Sequence, residues 1–236
     1  TDRLARYLIK AAREAKDWTR WTAPHEKAEA ALIDFASALS GNEDVVALMT
    51  SWVELTAQSV RAATLGQVLL QLTLPGVADV YQGTETTRIA LVDPDTRGPV
   101  DYEVLGAMLE KVDTSTPTSL AEEKLLLVAT TLRARRQHHE AFVGPRAGYQ
   151  ALPTSSGHAI SFARSVDGSP RLITVVTRLG AALAGIGGWG EHQVVLPASE
   201  SGWVDANRPG IVHQAGPVAL GQLLSESPAV LLHLAP

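Results

Sequence analysis

Apolar and polar residues alternate with two different rhythms along this chain, and the change falls near residue 143. In the first stretch, Leu4, Leu8, Ala11 and Ala15 share one helical face, which predicts a helix over Asp2–Lys16. Ala28, Ala31, Leu32 and Phe35 predict a second over His25–Ser40, stopped at Gly41. Asn42 is an N-cap candidate, and Glu43 and Asp44 suit the first turn of the helix that follows. That helix continues through Trp52 and Val60 to about Leu72, where Pro75-Gly76 ends it. Val77–Tyr81 is short, apolar and partly β-branched, fit for a buried strand. Tyr102–Val112 reads as a helix. Ser119–Glu122 is a capping-box pattern opening another, with Arg133, Arg135 and Arg136 at its basic end.

After Gly144-Pro145 the runs shorten. Ala159–Ala163, Leu172–Arg178, Gln193–Leu196 and Val230–Leu234 are separated by clusters of Gly, Pro, Ser, Asn and Asp. Such spacing predicts an antiparallel sandwich or open barrel of about five to eight strands. The fold class is therefore α+β, with a helical part over 1–143 and a strand-rich domain over 144–236. Gly180–Gly190 is expected to be a mobile loop between strands.

Composition narrows the function classes. Of 236 residues, 45 % are hydrophobic and 19 % charged, which is enough apolar material for a core. The net charge of −5 with dispersed Lys and Arg argues against a nucleic-acid partner. There is no cysteine, so disulfides and thiolate chemistry are excluded. Arg6 and Lys10 interrupt the only candidate leader, and Gln71, Thr73, Pro75 and Asp79 interrupt the most apolar stretch, so no membrane association is expected. The expectation is a soluble cytoplasmic protein. A start at Thr1 suggests a fragment or a trimmed product.

Candidate chemistry concentrates between Leu70 and Tyr102. Polar residues directly after the expected strand, at Tyr81-Gln82-Gly83-Thr84-Glu85, stand where a (β/α)-barrel builds its active-site face. Gly83 lets the backbone turn close to a ligand. The next loop carries Asp93, Asp95, Arg97 and Asp101 beside Tyr102. Carboxylates, a guanidinium fork and a phenol can together hold sugar hydroxyls. Tyr81, Gln82, Glu85, Asp93 and Arg97 are the substrate-binding candidates. Each has a structural alternative. Asp93 and Arg97 can form a loop salt bridge, Tyr81 and Glu85 can buttress the strand end, and Asp101 can cap the helix at Tyr102.

The Pro-Gly…Tyr-x-Gly-x-Glu arrangement resembles the last barrel strand of the amylase-type superfamily. Pro75–Glu85 together with Leu91–Tyr102 is similar to maltooligosyltrehalose synthase in particular, and Lys10–Ala15 and Thr19-x-Trp21-x-x-Pro24 extend the likeness upstream. Ala78, Thr96, Gly98 and Ala28 depart from the family pattern, and Gly98 offers no basic contact. The resemblance implies a C-terminal portion comprising a helical excursion, the last strand and helices of a (β/α)8 barrel, and a β-sandwich. The parent would convert the reducing-end α-1,4 linkage of maltooligosaccharides to α-1,1 by a retaining, carboxylate-based route, as an intramolecular transglucosylase without metal or organic cofactor. Its catalytic carboxylates would lie upstream. A whole barrel needs roughly 250 residues, so the chain alone is expected to be inactive and to pair with the missing barrel portion. Another α-glucan hydrolase or transglycosidase, or a non-catalytic glucan-binding module, are the competing readings.

Other motifs are weaker. Glu14, Trp18 and Trp21 could form a carbohydrate platform, with core packing the favoured reading, and Trp189 and Trp203 are expected in the core of the strand domain. Gly185–Gly190 matches a dinucleotide-binding pattern but runs into a strand instead of opening a helix. His138-His139-Glu140 lacks helical two-histidine metal spacing and reads as a solvated helix end.

Overall fold

The computed structural model describes residues 2–90 and 98–235. Seven α-helices and eight strands are found among them: α1 Asp2–Ala15, α2 Glu26–Ser40, α3 Glu43–Thr73, α4 Tyr102–Thr114, α5 Leu120–Gln137, β1 Ala147–Ala151, β2 Ala159–Val166, β3 Ser169–Thr177, α6 Gly180–Gly185, β4 Gln193–Leu196, β5 Trp203–Asp205, β6 Arg208–His213, β7 Gly216–Ala219, α7 Leu220–Leu223 and β8 Ala229–Leu234. The change from helix to strand between Gln137 and Ala147 coincides with the change in sequence rhythm. By its contacts the chain divides into two compact units, one of residues 1–56 and 89–99, the other of 57–88 and 100–236.

The first unit holds α1, α2 and the start of α3. Asn42 accepts from Val45 N at 3.0 Å, satisfying a first-turn donor of α3 as its residue type predicts. His25 caps α2 by accepting from Ala28 N at 3.3 Å. The apolar positions of α2 do not form a buried face: Phe35 is exposed, and Glu29 is the buried residue of the helix. Val46, Leu48, Met49, Trp52, Val53 and Leu55 on α3 are also exposed.

The second unit is organised by one antiparallel sheet of order β1-β2-β3-β8-β5-β6, with β4 and β7 in a separate two-stranded sheet. Alternation along β3 and β8 sends residues to opposite faces. Leu172, Val176, Ala229 and Leu231 meet Leu65, Leu69 and Leu72 of α3 and Leu127 and Val128 of α5. Ile173, Val175, Val230 and Leu232 meet Val194 and Leu196 of β4, Trp203 of β5 and Leu220 and Leu223 of α7. Both faces are dry, so these strands read as nearly continuous apolar runs. The β2–β3 hairpin turns through Asp167 (φ 50°) and Gly168 (φ 80°), a two-residue loop with both φ values positive, as a primed turn demands.

Val77–Tyr81 departs from expectation. These residues pair with no strand among the described residues, and Val77 is 99 % exposed. A central strand needs ladder partners for its backbone. The sheet to which this run would belong is not among the described residues, so the apolar pattern stands without one.

Ser119 and Glu122 form the expected cap with one difference. Glu122 N donates to Ser119 Oγ at 3.3 Å, while the Glu122 carboxylate reaches back to Thr118 N at 2.7 Å instead of to Ser119 N. Lys111 Nζ lies 2.6 Å from the other oxygen. The Lys111 ammonium and the two Thr118 donors hold the Glu122 carboxyl at about 2, against a usual 4.5. A depressed folded-state pKa gives stability that is complete above the usual value and is lost as pH falls through the folded one. Acid titration of thermal stability should therefore lose a component between pH 4.5 and pH 2, and Glu122→Gln should remove that component. In urea titration, Phe162→Ala should cost about 3–5 kcal/mol, because Phe162 is fully buried. Leu55→Ala, at an exposed position, should shift stability by about 0.5 kcal/mol or less.

Candidate functional site

The end of α3 delivers the chain into the turn at residues 82–85. Gln71 Nε2 donates to Asp79 O, tying the segment after Pro75-Gly76 back onto the helix that precedes it. Thr84 donates to Tyr81 O twice, from N at 3.1 Å and from Oγ1 at 2.5 Å. Arg88 Nη1 donates to Gln82 O at 3.1 Å. Gly83 sits inside this knot with φ +75°. A Cβ there would meet Arg88 Nη1 at 2.6 Å and Val100 Cγ2 at 2.9 Å. Glycine serves a close approach of neighbouring groups here as well as the turn itself.

Of the predicted binding residues, Tyr81 and Gln82 are exposed and Glu85 is partly buried. Tyr81 contributes its carbonyl to the turn, and about half of the residue is exposed. Glu85 Oε2 is buried and accepts no hydrogen bond among the described residues. A carboxylate oxygen in that state is a strong acceptor with capacity to spare. Asp93 and Arg97 lie outside the described residues. Asp101 does what its alternative reading expected, capping α4 by accepting from Val104 N at 3.0 Å.

Lys124 and Arg88 also build the site, and neither is conspicuous in the sequence. Lys124, on α5, donates from Nζ to Thr86 O at 3.0 Å. Burial lowers its pKa, and the Glu85 charge works in the opposite direction. Arg88 follows Glu85 closely enough to have been suspected. Lys124 stands 38 residues beyond Thr86, at a position that helical periodicity alone assigns to solvent.

A second polar cluster lies in the first unit. Arg13 grips buried Glu29 through Nε at 2.8 Å and Nη2 at 2.7 Å. Thr19 Oγ1 donates to the same carboxylate and accepts from His25 N at 3.0 Å. The Arg13 guanidinium, then Thr19, hold the Glu29 carboxyl at about 2. The favoured core reading of the nearby tryptophans is not realised: Trp18 is 46 % and Trp21 56 % exposed.

Elsewhere the chemistry is structural. A cleft of about 730 Å³ in the second unit is lined by Arg61, Glu123, Arg133, Asp113, Asp205 and Arg208 among others, and these are already paired with one another. His138 ends α5 with its ring 6.5 Å from that of His233. It is only partly solvated, and burial, then His233 and Arg171, lower its pKa. No metal-binding group of three or more ligands is found among the described residues, and none of their helices is long and apolar enough to cross a membrane. The glycine pattern begins at Gly185, the last residue of α6, and leads into β4, so it opens no helix. Trp203 is fully buried and donates to Pro197 O at 2.9 Å. Trp189 packs at the margin of the same core.

This fold is shared with one part of a class of larger proteins, the maltooligosyltrehalose synthases. A maltooligosyltrehalose synthase of Arthrobacter ramosus superposes with a TM-score of 0.87 at 31 % identity, over 99 % of this chain and 30 % of that one. A protein of Mycobacterium tuberculosis that carries the name maltooligosyl trehalose synthase is 35 % identical over 242 residues, 98 % of this chain and 28 % of its own. A glycosyltrehalose synthase at 23 % identity shares the fold, with a TM-score of 0.78. No protein-family model matches the chain. The chain is thus similar along its whole length to maltooligosyltrehalose synthases and spans about three-tenths of their length, and a C-terminal portion of that enzyme fits these matches.

The packing around Gly83 makes it the most sensitive position of the turn. Gly83→Ala adds about 1–2 kcal/mol of backbone strain from its φ alone, before the contacts with Arg88 and Val100. Amide hydrogen exchange over residues 81–88 should speed up by roughly tenfold or more, with exchange in β3 and β8 unchanged. Equal protection of the turn in both proteins would show that a side chain is tolerated there.

Proposed function

We propose that this chain is the C-terminal portion of an enzyme that converts the reducing-end α-1,4 linkage of maltooligosaccharides to α-1,1, yielding maltooligosyltrehalose. The observation that carries the reading is similarity to maltooligosyltrehalose synthases over 98 % of the chain. The chemistry is a retaining, intramolecular transglucosylation by two carboxylates flanking the sugar. Those carboxylates belong to upstream sequence, and no metal or organic cofactor is called for. Residues 1–143 are read as a helical excursion and the last segment of a (β/α)8 barrel, with Val77–Tyr81 as its final strand once neighbours are supplied. Residues 144–236 are read as the C-terminal sandwich, and the cytoplasm as the compartment.

Within that frame Tyr81, Gln82, Glu85, Asp93 and Arg97 contact the maltooligosaccharide. The unclaimed Glu85 Oε2 supports this role, since a sugar hydroxyl is a donor of the kind it lacks. The upstream barrel is the proposed partner of the first unit. The exposed apolar side chains from Val46 to Leu55 support it, because so continuous an apolar run ordinarily marks an interface.

Product analysis on maltohexaose tests the reading. The longer protein that carries this chain should remove reducing ends without shortening the oligosaccharide, and the 236-residue chain alone should leave the substrate unchanged. Release of glucose and maltose as main products would replace isomerisation by hydrolysis. Turnover by the chain alone would refute the placement of the catalytic carboxylates upstream.

A further inference from the structure

Trp21 packs in neither core of this chain. It stands at the tip of a tight hairpin closed by the Arg20–Ala23 pair, with Arg20 N donating to Ala23 O at 3.3 Å and Ala23 N to Arg20 O at 3.2 Å. The Arg13 guanidinium lies 5.0 Å from the centre of its ring, within cation–π range. Arg13 is itself immobilised by the two-pronged grip on Glu29, and Thr19, two residues before Trp21, binds the same carboxylate. The base of the hairpin and the cation against the ring therefore rest on one buried anchor, and more than half of the residue's surface stays open to solvent.

The surroundings decide what that open surface suits. Arg20 and Thr22 flank the ring in the chain, and Lys16 and Asp17 precede it, all exposed. A fixed aromatic surface among hydrogen-bonding groups, with half-exposed Trp18 three residues before it, is unlike the apolar run on α3, where Val46, Leu48, Met49, Trp52, Val53 and Leu55 leave little for a polar ligand to bond. A glucose unit has the matching character: its C–H face carries partial positive charge that suits the negative face of an indole, and its rim carries hydroxyls for polar neighbours. Because the anchor holds the ring before any ligand arrives, little side-chain entropy is lost on binding.

We propose that Trp21, steadied by Arg13 and Glu29, is a stacking platform for a glucose unit of an α-1,4-linked glucan. The proposal deepens the functional reading above and rests on it for the linkage type. It concerns the first unit alone, so it can be tested on the chain as it stands.

The test is calorimetric titration of the 236-residue chain with maltohexaose and, separately, with cellohexaose. The chain should bind maltohexaose saturably and in preference to cellohexaose. Trp21→Ala should weaken binding roughly two- to tenfold, the range of a single aromatic contact. Trp21→Phe should restore part of it, and Trp52→Ala, on the apolar run of α3, should leave it unchanged. Far-UV circular dichroism and the melting temperature establish that each variant is folded. No saturable binding by the unaltered chain would overturn the platform, as would equal affinity in the Trp21→Ala variant or a preference for cellohexaose. Trehalose-linkage formation by the longer protein is a separate measurement. A failed platform beside intact isomerase activity would thus leave the functional reading standing, while a working platform beside hydrolytic products would reject isomerisation alone.

Discussion

Burial of the β3–β8 pair on both faces is the constraint from which the second unit follows. Five register pairs, from Leu172↔His233 to Val176↔Ala229, join the two strands. Their alternating side chains feed two separate cores. An antiparallel pair with one wet face tolerates polar residues at every second position, but this pair does not. Cover is needed on each side, by α3 and α5 on one and by β4, β5 and α7 on the other. Fixing α3 and α5 against the sheet also fixes the Tyr81–Glu85 turn. Arg135 of α5 donates to Leu72 O at the end of α3, and Lys124 of α5 donates to Thr86 O. The turn inherits its rigidity from a sheet in which it takes no part.

The long helix α3 shows the same constraint stopping partway. From Ala62 onward it has residues at the sheet core, with Leu65, Leu69 and Leu72 nearly inaccessible. Before Thr56 it is no less apolar, yet Leu48, Met49, Trp52, Val53 and Leu55 are exposed. Intrinsic propensity and the Asn42 cap maintain helix in both halves, so secondary structure does not record the difference. The chain spans about three-tenths of the length of its relatives, and no core among the described residues covers this half of the helix.

Legibility in the sequence followed the range of the interaction. Caps are local, and Asn42, Asp101 and Ser119 could be read from residue type and spacing. The strands at Gln193–Leu196 and Val230–Leu234 were legible because burial and β-branching act on consecutive residues. The division into a six-stranded and a two-stranded sheet was not, since pairing between β5 and β8 joins residues far apart in the chain. Val77–Tyr81 shows the opposite failure: its composition suits a strand, but strand identity depends on ladder partners. Of the site, the glycine turn and Glu85 were visible and Lys124 was not, because an anchoring lysine on a helix looks like any solvated one. The expectation that Trp18 and Trp21 pack in a core rested on what tryptophan usually does, and it missed the anchor beneath them.

Glu29 and Glu85 illustrate how environment assigns different work to the same side chain. Glu29 is buried and paired on both oxygens, by a guanidinium fork, with a threonine hydroxyl on one of them. Every lone pair committed to the fold is one that a ligand cannot use, so its chemistry ends as architecture. Glu85 has one oxygen buried without a donor, beside a lysine already committed to a carbonyl. Leaving a buried acceptor unpaired costs about 1–3 kcal/mol, a penalty that a hydroxyl arriving from outside would relieve. Pairing thus separates the two: the Glu29 carboxylate is tied into the fold on both oxygens, and Glu85 keeps one buried oxygen without a donor among the described residues.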